Sequence, residues 1–166
     1  MIIFDASTLI LLAKIDALDL FISDYGGQVI IPGKVEEEVM QKGSVETHQI
    51  DRLIEEGNIG VLKVVDKSFL QKLMGDFNID SGEAESIALA LHKKTAVVAT
   101  DDRNAIRACK LLKVDFITAI STLIRAVEKR LLSKNEAAPK LEKLETIGRY
   151  KKSIIADARR QIKGGE

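Results

Sequence analysis

Carboxylates that end apolar runs are the residues of this chain best placed to do chemistry. Asp5 ends the run Met1-Ile2-Ile3-Phe4, and Asp101-Asp102 end the run Ala96-Val97-Val98-Ala99-Thr100. Glu38 and Glu83 stand on helical patterns between them. A buried strand that stops at a carboxylate delivers it to the carboxyl edge of a parallel sheet, where open α/β folds build their sites. Several carboxylates at one edge repel one another unless a cation sits among them, and hard divalent ions such as Mg²⁺ take oxygen ligands. The pattern points to an acidic metal pocket.

Each position also has a structural alternative. Asp5 opens Asp5-Ala6-Ser7-Thr8, where an aspartate serves equally as a helix N-cap, and Ser7 or Thr8 can reach a metal water or a phosphate oxygen. Glu36 and Glu37 are explained by the dipole of a helix first turn. Glu38 lies beside the apolar stripe of Val35 and Val39, but an exposed pair with Lys42 accounts for it as well. Asp80 and Glu83 have the spacing of a capping box. Glu83 and Glu85 are about 200° apart around a helix, so both cannot face one pocket. Glu83 shares its face with Ile87 and Ala90 and is preferred, while Glu85 is expected toward Leu89 or solvent. Thr100-Asp101-Asp102-Arg103-Asn104 places a hydroxyl, two acids and an amide on one strand-to-helix turn. One acid caps the helix; the other is expected to have no structural duty.

Strands must alternate with helices to position these groups. Strand patterns fall at Ile2–Asp5, Gln28–Ile31, Val61–Val65, Thr95–Thr100 and Val114–Ile117. Helical patterns fall at 6–14, 17–23, 45–56, 67–75, 80–93, 103–112, 119–132, 135–145 and 150–162, and Pro32 opens another that Gly43 stops. Strands separated by helices predict parallel βαβ units, covered on both faces.

Composition narrows the class. The 166 residues suit one domain with a full core. Cys109 is the only cysteine, which excludes an intramolecular disulfide; it sits on an apolar helical face and reads as core. No stretch reaches the ~20 apolar residues of a membrane span. The opening run lacks a charged leader and reads as a strand, not a signal peptide, so a cytoplasmic location is expected. Net charge is zero, yet residues 1–102 carry 9 Lys/Arg against 18 Asp/Glu and residues 103–166 carry 16 against 7. Such polarity suits a cation at one face and a polyanion at another, although solvated helices explain it too.

With these residues in view, the chain resembles a PIN domain (PilT N-terminal domain), in particular the VapC-like prokaryotic ribonuclease branch. The resemblance rests on Asp5-Ala6-Ser7, Glu38 in the helix after the second strand, Glu83-Ala84-Glu85-Ser86-Ile87-Ala88-Leu89-Ala90, and Thr100-Asp101-Asp102-Arg103-Asn104, and covers residues 1–120. It implies an α/β/α sandwich with a mostly parallel five-stranded sheet, a nuclease domain over 1–134 and a helical C-terminal extension over 135–166 packed on it. It also implies phosphodiester hydrolysis of RNA with one or two Mg²⁺ or Mn²⁺ ions. Asp5, Glu38, Glu83 and Asp102 would be the catalytic metal-holding set. Asp101 would be a further ligand, with Ser7, Thr100 and Asn104 supporting and Arg103 and Arg107 contacting RNA. Glu83 stands where many members have Asp, and Asn104 where many have Asp, which weakens a second metal site.

A toxin with a separate antitoxin partner is one role the branch implies. A non-catalytic module binding RNA or protein, and another acidic-pocket phosphoryl-transfer protein, are the alternatives. A homodimer through Ile120, Leu123, Ile124, Val127 and Leu131 is a further expectation. His48 and His92 are expected on helix surfaces.

Overall fold

The computed structural model describes residues 1–94 and 96–164. Thr95, which begins the fourth expected strand, and Gly165-Glu166 of the expected frayed tail lie outside the described residues.

Five strands, β1 (Ile2–Phe4), β2 (Val29–Pro32), β3 (Gly60–Leu62), β4 (Val97–Ala99) and β5 (Phe116–Ile117), form one sheet in the order β3-β2-β1-β4-β5. Every pairing is parallel, so the sheet is wholly and not mostly parallel. The helices are α1 (Ala6–Lys14), α2 (Leu18–Asp24), α3 (Gly33–Lys42), α4 (Val45–Glu55) and α5 (Lys67–Phe77) in the first half. They continue as α6 (Ser81–Lys93), α7 (Arg103–Leu112), α8 (Ala119–Glu128), α9 (Lys134–Ile147) and α10 (Lys152–Lys163).

Alternation along the strands sends side chains to two separate cores. In β1, Ile2 and Phe4 join Leu9, Leu12, Val35 and Ile50 on one face, whereas Ile3 joins Ile87, Ala105 and Cys109 on the other. The result is a three-layer α/β/α domain. Helices α9 and α10 belong to the first core through Ala137, Leu141, Leu144, Ile155, Ala158 and Ile162. Cys109 is fully buried, as expected of a core residue, and burial pushes its thiol up to about 12. His48 and His92 are exposed on their helices.

Two details depart from the sequence reading. Ile120 and Leu123 are buried in the chain's own core, so they are not spare surface for a second copy. Tyr150 does not begin the last helix: α10 starts at Lys152, and Tyr150 lies in the connection from α9.

The strand order places the site. Chain direction through the sheet switches between β1 and β4, the two central neighbours, and ligands of open α/β sheets bind outside the carboxyl ends at such a switch. Phe4 pairs with Ala99, and the Asp5 N–H donates to the Ala99 carbonyl at 3.0 Å. Asp5 and Thr100-Asp101-Asp102 therefore leave the sheet side by side.

Candidate functional site

Asp5 is the most buried acid among the described residues, 1 % exposed. It caps α1: Oδ1 accepts from the Thr8 N–H at 3.0 Å and from the Ser7 hydroxyl at 2.8 Å. Its Oδ2 is buried with no hydrogen bond of good geometry, although the Thr100 hydroxyl stands near enough to the carboxylate to favour its anion. Buried acceptors are almost always paired, because an unpaired one loses water and gains nothing. Burial pushes the Asp5 carboxyl up to about 7, against the Thr100 hydroxyl, the Thr8 N–H and the Ser7 hydroxyl, which favour the anion; the charge of Asp101 adds to the rise. Both roles considered for Asp5 are thus present in one side chain, a cap on one oxygen and an unengaged oxygen on the other.

Glu83 also plays the structural part foreseen for it. Its Oε2 accepts from the Asp80 N–H at 2.9 Å while Asp80 Oδ1 accepts from the Glu83 N–H at 2.8 Å, closing a capping box on α6. Burial pushes its carboxyl up to about 8, and the charges of Asp80, Asp102 and Asp5 push the same way. Asp5, Glu83 and Asp102 therefore share one electrostatic neighbourhood. Asp102 caps α7, with Oδ1 accepting from the Asn104 and Ala105 N–H groups at 2.7 and 2.9 Å.

Glu38 stands beside this group, half-exposed. Its Oε1 pairs with Lys42 at 3.0 Å, and its Oε2 would lie 3.8 Å from a Cβ at Gly82. That same Cβ would come within 3.2 Å of Val35, so glycine at 82 lets the first turn of α6 approach α3 closely.

Glu85 corrects the sequence reading. It is buried rather than turned to Leu89 or solvent, and Oε2 accepts from the Lys34 N–H at 3.1 Å. The first turn of α3, which begins with Gly33 after Pro32 and has no side-chain cap of its own, takes its acceptor from α6. Glu85 thereby ties the helix carrying Glu38 to the helix carrying Glu83.

Asp101 corrects it further, since the second acid of the turn does have a structural duty. Its Oδ2 accepts from the Thr8 hydroxyl at 2.6 Å and the Ala119 N–H at 2.9 Å, and its Oδ1 from the Tyr150 hydroxyl at 2.5 Å. With both oxygens engaged, Asp101 joins α1, α8 and the α9–α10 connection. Ser7 accepts from the Asp101 N–H at 3.3 Å, and buried Thr100 accepts from the Asp102 N–H at 3.3 Å. The Asn104 amide donates to the Asn78 carbonyl at 2.9 Å, holding α7 to the left-handed end of α5. Arg103 and Arg107 are exposed on α7, one turn apart beside Asp102.

The contact of Tyr150 with Asp101 escaped the sequence reading. Nothing local foretells a phenol reaching Asp101 from 49 residues away.

Over residues 1–163 the chain matches the model of the family described as PIN domain, and it belongs to that family. The match takes in α9 and α10 as well as the sheet. No curated protein and no solved structure matches the chain. PIN membership indicates nuclease-type function in general and a general use of divalent metals. Among the described residues no three His, Cys, Asp or Glu side chains stand in an arrangement ready to hold an ion. The donors nonetheless suit one: all are carboxylates, one buried oxygen of Asp5 lacks a well-formed hydrogen bond, and burial and neighbouring charges disfavour the anions of Asp5 and Glu83 until a cation is present.

Proposed function

We propose that this chain is a divalent-metal-dependent ribonuclease, hydrolysing phosphodiester bonds of RNA. The observation that carries the reading is the Asp5 Oδ2 buried without a well-formed hydrogen bond at the switch point, with the Asp5 carboxyl in electrostatic reach of Glu83, which also feels Asp102. Asp5, Glu83 and Asp102, with Glu38 beside them, would hold Mg²⁺ or Mn²⁺. A bound divalent ion lowers the pKa of water and offsets charge on a scissile phosphate. Residues of the chain supply the rest. Ser7 and the Thr8 N–H fix Asp5 through Oδ1 and leave Oδ2 unengaged. Arg103 and Arg107 offer two exposed cations to phosphates on the α7 side.

The test is RNA cleavage with Mg²⁺ or Mn²⁺ against the same reaction in chelator. Cleavage is expected only with metal. Asp102→Asn is expected to reduce it on the order of 100-fold or more, beyond the 10–100-fold typical of outer-shell partners. Asparagine preserves the cap on α7, so this variant stays folded. Cleavage that persists in chelator, or is undiminished in Asp102→Asn, contradicts the reading.

A further inference from the structure

Between α9 and α10 the chain returns to the site through a built connection. At Gly148 a Cβ would lie 2.3 Å from Tyr150 Cε2, 2.6 Å from Cδ2 and 2.8 Å from the Leu144 carbonyl oxygen. Only glycine lets the Tyr150 ring fold back over the end of α9. So folded, its hydroxyl reaches Asp101 Oδ1, while Thr8 and Ala119 hold Oδ2 of the same carboxylate. Burial and the charges of Asp101 and Asp5 push the phenol's pKa up, which keeps it a donor.

The residues around Tyr150 are basic. Arg149 and Lys151 flank it, each about 3.8 Å along the chain, and Lys152 follows. All three are exposed, and none forms an ion pair among the described residues. The other arginines of this basic end are engaged already: Arg159 with Glu145 and Arg160 with Asp157. Unpaired cations on a segment tied to Asp101, the chain neighbour of Asp102, have a use if a polyanion must be drawn toward the acidic turn.

We infer that residues 148–152 form a phosphate clamp for single-stranded RNA, in which Gly148 and Tyr150 latch the segment carrying Arg149, Lys151 and Lys152 to Asp101. The inference rests on the ribonuclease reading and names the surface that delivers its substrate. With no Trp and two Tyr in the chain, stacking platforms for bases are sparse, so the clamp reads the backbone and not the sequence.

The experiment measures binding without cleavage: fluorescence anisotropy of a labelled single-stranded RNA with the full chain in EDTA, across a KCl series. Three phosphate contacts contribute about 2 to the slope of log K against log [KCl]. The triple variant R149Q/K151Q/K152Q is expected to lose that much slope and to bind about tenfold or more weakly at ~0.1 M salt. R159Q/R160Q is expected to bind as the wild type does. Tyr150→Phe keeps all three cations and is expected to weaken binding in the same direction. A triple variant with the wild-type slope overturns the clamp while metal-dependent cleavage still stands, and leaves an acidic protein as the fitting partner of this surface. Wild-type binding by Tyr150→Phe overturns the latch. If the wild type neither binds nor cleaves RNA, clamp and ribonuclease reading fail together.

Discussion

Asp5→Asn is expected to abolish RNA cleavage, by on the order of 1,000-fold or more, while making the metal-free protein more stable at pH 8. Asparagine keeps an Oδ1 acceptor for the Thr8 N–H and the Ser7 hydroxyl, so the cap on α1 survives. What disappears is the buried carboxylate with its unpaired oxygen. The sign follows from linkage. The Asp5 carboxyl ionises at 3.8 when unfolded but at about 7 when folded. Between these values the folded state holds the extra proton, so stability falls as pH rises from about 4 to about 7 and stays at the lower level above. At ~1.4 kcal/mol per unit, the wild type forfeits up to about 4 kcal/mol across that window. The variant does not. Glu83, raised from 4.5 to about 8, extends the same decline in both proteins. Urea melts at pH 5 and pH 8 check this: the variant's advantage should grow with pH. An advantage independent of pH, or cleavage near the wild-type rate, would count against Asp5 as the metal-holding acid.

Asp101→Ala is expected to produce the opposite pairing of effects, a large loss of stability whose origin is structural. The substitution strands three donors, the hydroxyls of Thr8 and Tyr150 and the Ala119 N–H. Hydrogen bonds to a charged group contribute about 1.5–3 kcal/mol each, and partial access of water reduces the sum to about 3–5 kcal/mol. For a domain of this size that lowers Tm by roughly 10 °C. Asp102→Asn should melt as the wild type does. Differential scanning calorimetry of the two variants separates the adjacent acids; equal melting temperatures would show that Asp101 is not the hub described.

Much of this arrangement was legible in the sequence because local rules and the global fold agree. Apolar runs ending at Asp5 and at Thr100-Asp101-Asp102 mark buried parallel strands, and the helices bounded by Gly43, Asp80 and Arg103 follow from caps and periodicity. The capping roles of Asp5 and Glu83, and a cap from one of Asp101-Asp102, were readable for the same reason, since each bond spans two or three residues. What was not legible spans the chain. Glu85 looked solvent-facing because its partner, the Lys34 N–H, is 51 residues away on another helix. The second acid of the Asp101-Asp102 pair looked idle because the partners of Asp101 come from α1, α8 and the Tyr150 connection. Ile120 and Leu123 looked spare because α9 and α10, which share their core, cannot be placed from periodicity alone. Long-range contacts assign the duties of polar groups; spacing only proposes them.

Calorimetric titration of the metal-free protein with Mn²⁺ at pH 7, in two buffers of different ionisation enthalpy, tests the acidic metal pocket most directly. The wild type should bind with release of protons, because Asp5 at about 7 and Glu83 at about 8 are still partly protonated there and must ionise to take a cation. Asp5→Asn should bind far more weakly. Absence of binding by the folded wild type, or undiminished binding by Asp5→Asn, would contradict the account.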